Sequence, residues 1–330
     1  MNPSKTALIC GATGQDGAYL AQLLLEKGYR VVGTSRDAAT ANHRGLQALG
    51  VDDRIELVSM RTSDFRSILR ALSQTEPDEV YNLSGQSSVG LSFEQPVETM
   101  ESISVATVNL LEAIHYLNPK IRFYNASSSE CFGEMEPGSA ATEETAFRPR
   151  SPYAVAKSAA HWAVRNYREA YGLFAVNGVL FNHESPLRGD RFVTSKIVSA
   201  AVRIAIGGGE TLQLHNLQIA RDWGWAPEYV DAMWRMLQIG EASDFVIATG
   251  QSFTLMEFVE AAFQEVGLNW SDHVQVVSQE ARPLDIAFNR GDPAKAGAGL
   301  GWHARLAMPQ VVKLMVESRR SAEGPPGPRA

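Results

Sequence analysis

The start of the chain limits its possible folds more than any other stretch. Thr6–Cys10 (TALIC) reads as a short buried strand, and GATGQDG follows at once, setting Gly11, Gly14 and Gly17 three apart. The run AYLAQLLLEKG then reads as a helix that closes at Gly28. Glycines let a turn pass close to a pyrophosphate, and the helix N-terminus behind them offers N–H donors and positive potential. The unit predicts a nucleotide site at the edge of a parallel sheet.

The pattern continues. Strands are expected at Arg30–Thr34, Arg54–Met60, Glu79–Gly85 (EVYNLSG), within RFYNASSSE and at Leu173–Asn182, with DFVIATG (Asp244–Gly250) returning to the same sheet. A helix is expected around Val105–Tyr116, with Val105, Val108, Leu111 and Ala113 mostly on one side. Strands alternating with helices imply an α/β fold, a Rossmann-type doubly wound parallel sheet covered on both faces. Ligands of such sheets bind beyond the carboxyl ends of the strands, where the polar clusters of this chain fall. The second strand ends in Ser35-Arg36, a hydroxyl and a guanidinium suited to the 2′-phosphate of NADP rather than to NAD, although Asp37 comes next.

Between Asn125 and Lys157 the chain gathers a hydroxyl (Ser128), a carboxylate (Glu130), a phenol (Tyr153) and an ammonium (Lys157). Ser151 is a good N-cap, Pro152 suits the first helical position and Gly172 suits the end, so a helix from 152 places Tyr153 in its first turn. Lys157, four residues on, shares that face. A neighbouring cation lowers a phenol's pKa, so the pair can take a hydroxyl proton while hydride leaves the same carbon. Tyr-x-x-x-Lys is a loose pattern, and its second copy, Tyr116–Lys120, flanks Pro119 at a helix end and receives no role.

The 330 residues are 45% hydrophobic and carry a net charge of −7, which argues against a general nucleic-acid surface. Two cysteines, Cys10 and Cys131, imply neither a disulfide framework nor a zinc site, and no metal is expected. No signal peptide or membrane span is read, so a cytoplasmic protein is expected. After Asn182 the pattern turns polar and irregular, with Arg188, Lys196, Arg221 and Arg282 recurring as in a lobe for a diphosphate-linked ligand. The expected division is a cofactor domain of residues 1–181 plus roughly 219–254, an interleaved α/β sugar-nucleotide lobe of 182–218 and 255–318, and a disordered Pro- and Gly-rich tail, 319–330.

GATGQDG, RSPYAVAK, LFNHESPLRG, RDWG and DFVIATG occur in an order and spacing that resemble the extended short-chain dehydrogenase/reductases, and among them the GDP-mannose 4,6-dehydratases, from about Thr6 to Glu317. LFNHESP and RDWG are the most specific of these. The resemblance implies a redox-neutral reaction. Tyr153, supported by Lys157, takes the C4 hydroxyl proton as the C4 hydride passes to NADP⁺. Glu130 removes the acidified C5 proton, water leaves C6 with help from Ser128 or Glu130, and the hydride returns to C6. For the cofactor the resemblance implies Gly11, Thr13, Gly14, Gln15, Asp16, Gly17, Ser35, Arg36, Leu83 and Ser84, with Tyr153 and Lys157. For a GDP-sugar it implies Asn182 at the diphosphate, then Lys196, Arg221, Arg282 and Asp285, with Ser87, Ser129, Glu184 and Val193 beside them.

The chain departs from the family pattern at five places. Ser128 stands for threonine and keeps the hydroxyl. Asp285 stands for glutamate, with a shorter reach toward the base. Met60-Arg61-Thr62 replaces a Gly-Asp pair whose Asp contacts adenine. Arg36-Asp37-Ala38 replaces Arg-Arg-Ser, which helps to join tetramers, and Val193–Lys196 reads VTSK where the family has VTRK. A homodimer through paired long helices is the expected assembly. Competing functions are dehydration of a related GDP-sugar such as a GDP-heptose, an NADPH-dependent keto-sugar-nucleotide reductase or epimerase with Glu130 idle, and a non-catalytic nucleotide-binding regulator.

Overall fold

The computed structural model of the chain describes residues 5–277 and 284–323. Seven parallel strands form the central sheet: β1 (Thr6–Cys10), β2 (Arg30–Ser35), β3 (Glu56–Ser59), β4 (Glu79–Asn82), β5 (Arg122–Ser128), β6 (Ala175–Leu180) and β7 (Phe245–Ile247). Their order is β3-β2-β1-β4-β5-β6-β7, so the chain reverses direction across the sheet beside β1. Helices α1 (Gln15–Glu26), α2 (Phe65–Thr75), α3 (Ala106–Leu117), α4 (Pro152–Tyr171) and α6 (Ala226–Met236) cover its two faces. Apolar runs such as Ala7–Cys10 are wholly buried, as strands sandwiched between helices require.

α5 (Val193–Ala205), α7 (Leu255–Glu265) and α8 (Met308–Glu323) enclose a second core that includes Ile197, Phe258, Phe263 and Val312. α8 reaches Glu323, so residues 319–323, expected in a disordered tail, are helical; 324–330 lie outside the described residues. Helix α3 also corrects an expectation. Its buried face is Ala106, Thr107, Leu110, Leu111, Ala113 and Ile114, and at 100° per residue Val105 and Val108 fall outside that arc. Val105 and Val108 stand exposed, while Leu111 and Ala113 are buried.

A polar ladder crosses the sheet. Asn82 donates to Asn125 Oδ1 at 3.1 Å, and Asn125 donates to Asn177 Oδ1 at 2.9 Å, each pair in register on neighbouring strands. Asp244 accepts from the Asn177 N–H and forms two 2.8 Å bonds with the Arg168 guanidinium, which fastens α4 over β6. Asn125→Ala leaves an amide and a carbonyl unpaired in the interior, and should cost about 2–4 kcal/mol in urea unfolding. A loss below about 0.5 kcal/mol would remove the ladder's structural role.

Candidate active site

The glycine turn is shaped by contact. Gly11 has φ +86°, and a Cβ there would stand 2.9 Å from the Leu83 carbonyl oxygen. A Cβ at Gly17 would collide with the Gly11 carbonyl. Gly14 caps α1, which begins at Gln15 within the motif, and no side chain caps that helix end. Its N–H groups therefore face outward beyond the carboxyl end of β1, a fit for a dinucleotide pyrophosphate. Thr13, Ser35, Leu83 and Ser84 line this edge half-buried, and Arg36 is exposed.

The Gln15 and Asp16 side chains, expected at the cofactor, turn elsewhere. Gln15 donates to the His183 carbonyl at 3.2 Å and accepts from the Ser185 hydroxyl at 2.8 Å. Asp16 Oδ2 faces His183 Nε2 at 3.0 Å, while His183 Nδ1 lies 2.7 Å from the Phe181 carbonyl. Both ring nitrogens face acceptors, so the ring is held as a cation. Burial alone would lower its pKa, but Asp16 raises it; burial likewise opposes Asp16, yet the pair holds the carboxyl low.

Across the cleft, α4 starts as the sequence implies. Ser151 accepts from Ala154 N at 3.0 Å, and Gly172 (φ +68°) ends the helix. Tyr153 is 9% exposed, at the ends of β5 and β6. Ser128 closes β5 and accepts from Glu130 N at 3.3 Å, which begins a short 3₁₀ turn, Ser129–Phe132, with Ser129 buried. Ser128 and Glu130 lie close enough to the Tyr153 phenol to act on its ionisation, Ser128 favouring and Glu130 opposing the phenolate. The structure therefore brings Ser128, Glu130 and Tyr153 together.

Burial dominates the electrostatics of Tyr153 and Lys157. Burial pushes the Tyr153 phenol well above its usual pKa; Ser128 and, more weakly, Arg188 pull it down, whereas Cys131 and Glu130 push it up. Lys157 is not among these larger influences. Its Nζ, 5.8 Å from the Tyr153 ring centre, donates to the Ala126 carbonyl at 2.8 Å, and burial lowers the amine to about 8. Within this chain's own groups Lys157 anchors α4 to β5, and the phenol is tuned by Ser128 and Arg188.

His183 is the residue that sequence reasoning left without a role, and Arg188, expected only among the cations of the second lobe, reaches the catalytic tyrosine. Glu184, 1% exposed, pairs with Arg188 Nε at 3.1 Å and accepts from Thr194 at 2.8 Å, and Arg188 lies 3.6 Å over the Phe192 ring. Glu184 thus holds an arginine rather than lining an open surface. Their signal was a polar triplet, His-Glu-Ser, placed directly after a buried strand.

The other substrate residues lie in the second lobe or on its approach. Asn182 is half-buried and pairs in register with Trp223; Val193 opens α5; Lys196 donates to the Gln213 carbonyl at 3.0 Å. Arg221 and Asp285 meet each other at 3.7 Å, and Arg221 also donates to the Ile286 carbonyl at 2.6 Å. Glu134 accepts from Ala287 N and Phe288 N, tying this segment to the turn that carries Glu130. Ser87 is exposed after β4, and Arg282 lies outside the described residues. In RDWG, Asp222 accepts from Thr249 N, Thr249 Oγ1 and Gly250 N at 2.7–2.9 Å, clasping β7's exit to the lobe.

A glycine cradle at β1, a tyrosine and lysine on the helix after β5, and a second core beyond the sheet define the architecture of an extended short-chain dehydrogenase/reductase. A dTDP-glucose 4,6-dehydratase from Bacillus anthracis, solved in complex with NAD, shares this fold at TM-score 0.84 and 18% identity over 95% of this chain and 96% of that one. The family model for GDP-mannose 4,6 dehydratase matches residues 8–315. GDP-mannose 4,6 dehydratase 1 of Arabidopsis thaliana is 46% identical over 327 residues, covering 96% of this chain and 90% of that protein. The GDP-mannose 4,6 dehydratase of Homo sapiens is 41% identical over 341 residues, covering 96% and 91%. The chain belongs to the GDP-mannose 4,6-dehydratase family.

Proposed function

We propose that the protein converts GDP-mannose to GDP-4-keto-6-deoxy-mannose and water, using NADP without net consumption. The carrying observation is the meeting of Glu130 with Tyr153 through Ser128. When bound, the cofactor supplies a hydride acceptor that later returns what it took. Tyr153 Oη takes the C4 hydroxyl proton, and Ser128 holds that oxygen's lone pair and aligns the sugar. The C4 ketone acidifies C5, and the Glu130 carboxylate removes that proton. Protonation of the departing C6 hydroxyl, from Glu130 or Ser128, releases water. A 4-keto reductase or a 4-epimerase has no use for a base at C5, so Glu130 favours elimination over those two reactions. Arg221 and Asp285, which meet at 3.7 Å, are the groups assigned to the guanosine diphosphate.

The test is mass spectrometry of the sugar nucleotide after incubation with NADP⁺ and GDP-mannose. Loss of one water with no net NADPH is expected; a product that keeps its water, or stoichiometric NADPH, would overturn the dehydratase.

We also propose a homodimer across α3 and α4. These helices pack on each other and expose Val105, Val108, Val155 and Trp162, the last 52% exposed. Trp162→Glu should shift the mass in light scattering from dimer to monomer; a wild-type monomer would dismiss the interface. Among the described residues no helix is long and apolar enough to cross a membrane. The two free, buried cysteines suit the reducing cytoplasm as the site of action.

A further inference from the structure

The cofactor's course fixes where its adenosine half must lie. The nicotinamide end belongs near Tyr153 at β5, and the pyrophosphate at the glycine turn after β1. The sheet continues from β1 to β2 and then β3, so the adenosine ends over those two strands. Ser35 and Ser59 are register partners there, and Met60 N donates to the Ser35 carbonyl at 2.8 Å. Arg36 and Arg61 therefore leave neighbouring strand ends side by side. Both are exposed.

Their backbones are fixed. Ala38 N donates to Ser59 Oγ at 3.0 Å, Arg61 N to Ser67 Oγ at 3.1 Å, and Asn109 to the Thr62 carbonyl at 3.1 Å. The nearby acids are committed to backbone. Asp37 accepts from Ala39 N at 3.0 Å, and Asp64 caps α2 through Arg66 N and Ser67 N. Among the described residues neither arginine has an ion pair or a side-chain hydrogen bond. Two unneutralised guanidinium forks on adjoining strand ends, in a chain of net charge −7, are matched to a dianion with several acceptor oxygens.

We propose that Arg61 is the second jaw of a two-arginine clamp on the cofactor's 2′-phosphate, closing from the end of β3 while Arg36 closes from the end of β2. This rests on the NADP reading above and adds a specificity-determining residue to it. Arg61 adds a second donor fork at that phosphate, and the preference for NADP is set by two strands rather than one.

The test is calorimetric titration of the protein with adenosine 2′,5′-bisphosphate, 5′-AMP, NADPH and NADH. Arg61→Ala and Arg36→Ala should each weaken the bisphosphate and NADPH about tenfold or more, with 5′-AMP, NADH and thermal unfolding unchanged. Arg61→Lys should keep part of the affinity as a point charge. If Arg61→Ala binds the bisphosphate like the wild type while Arg36→Ala does not, the clamp has one jaw and the proposal falls. It falls equally if Arg61→Ala weakens 5′-AMP as much as the bisphosphate, since Arg61 then touches adenine only. A wild type that binds NADH as tightly as NADPH would instead overturn the NADP reading, before any variant is made.

Discussion

Tyr153→Phe is expected to lower turnover about 10³-fold or more while leaving NADP and GDP-sugar affinity within about twofold. The ring stays in its buried place at the start of α4, so packing is kept and only the oxygen is lost. Without it nothing at that position accepts the C4 proton, and the first step stalls. Burial keeps the phenol protonated in the free protein, so the base must be unmasked by ligands that bring positive charge or donors beside it. Lys157 contributes on a different pH scale. Its amine titrates near 8, so any rate that needs the ammonium falls as pH rises past that value. Titrations for binding and a single-turnover assay measure both halves of the prediction. Wild-type turnover in Tyr153→Phe would show that another group is the base.

Glu130→Gln should separate the stages that Tyr153→Phe blocks together. The neutral amide keeps the shape and the backbone bond from residue 130 to Ser128, but it cannot take a proton from C5. Removing the carboxylate also removes a negative charge that pushes the phenol's pKa up, so oxidation at C4 should be unimpaired or faster. Reduced cofactor should then accumulate in a single turnover, visible by its near-ultraviolet absorbance, while release of water falls about 10³-fold. Water loss at the wild-type rate would place the C5 base elsewhere.

Much of this was legible because it is local. Ser151, Pro152 and Gly172 announce a helix whose caps are present, and the glycine turn is a contiguous motif whose first and third glycines face backbone. The face of α3 was misassigned, because Val105, Val108, Leu111 and Ala113 do not share one side at 100° per residue and the buried stripe runs through Ala106, Thr107 and Leu110 instead. The asparagine ladder left a trace, VYN, FYN and AVN recurring in three strands, but an isolated buried asparagine reads only as a local oddity. Gln15 and Asp16 sit in a nucleotide motif, and only their partners, far along the chain, show that their side chains serve the scaffold. The lysine's spacing from Tyr153 was visible, but the Ala126 carbonyl that holds its amine was not.

The bridge from Asp16 to His183 spans 167 residues, and that from Gln15 to Ser185 spans 170. During synthesis the glycine turn must wait for about 170 further residues before its flank is braced. Contacts so distant in sequence form late, because long loops must close before they reward the chain. Cofactor in the surrounding solution therefore stabilises chains in which the segment from His183 to Ser185 has already docked, in preference to those in which it has not.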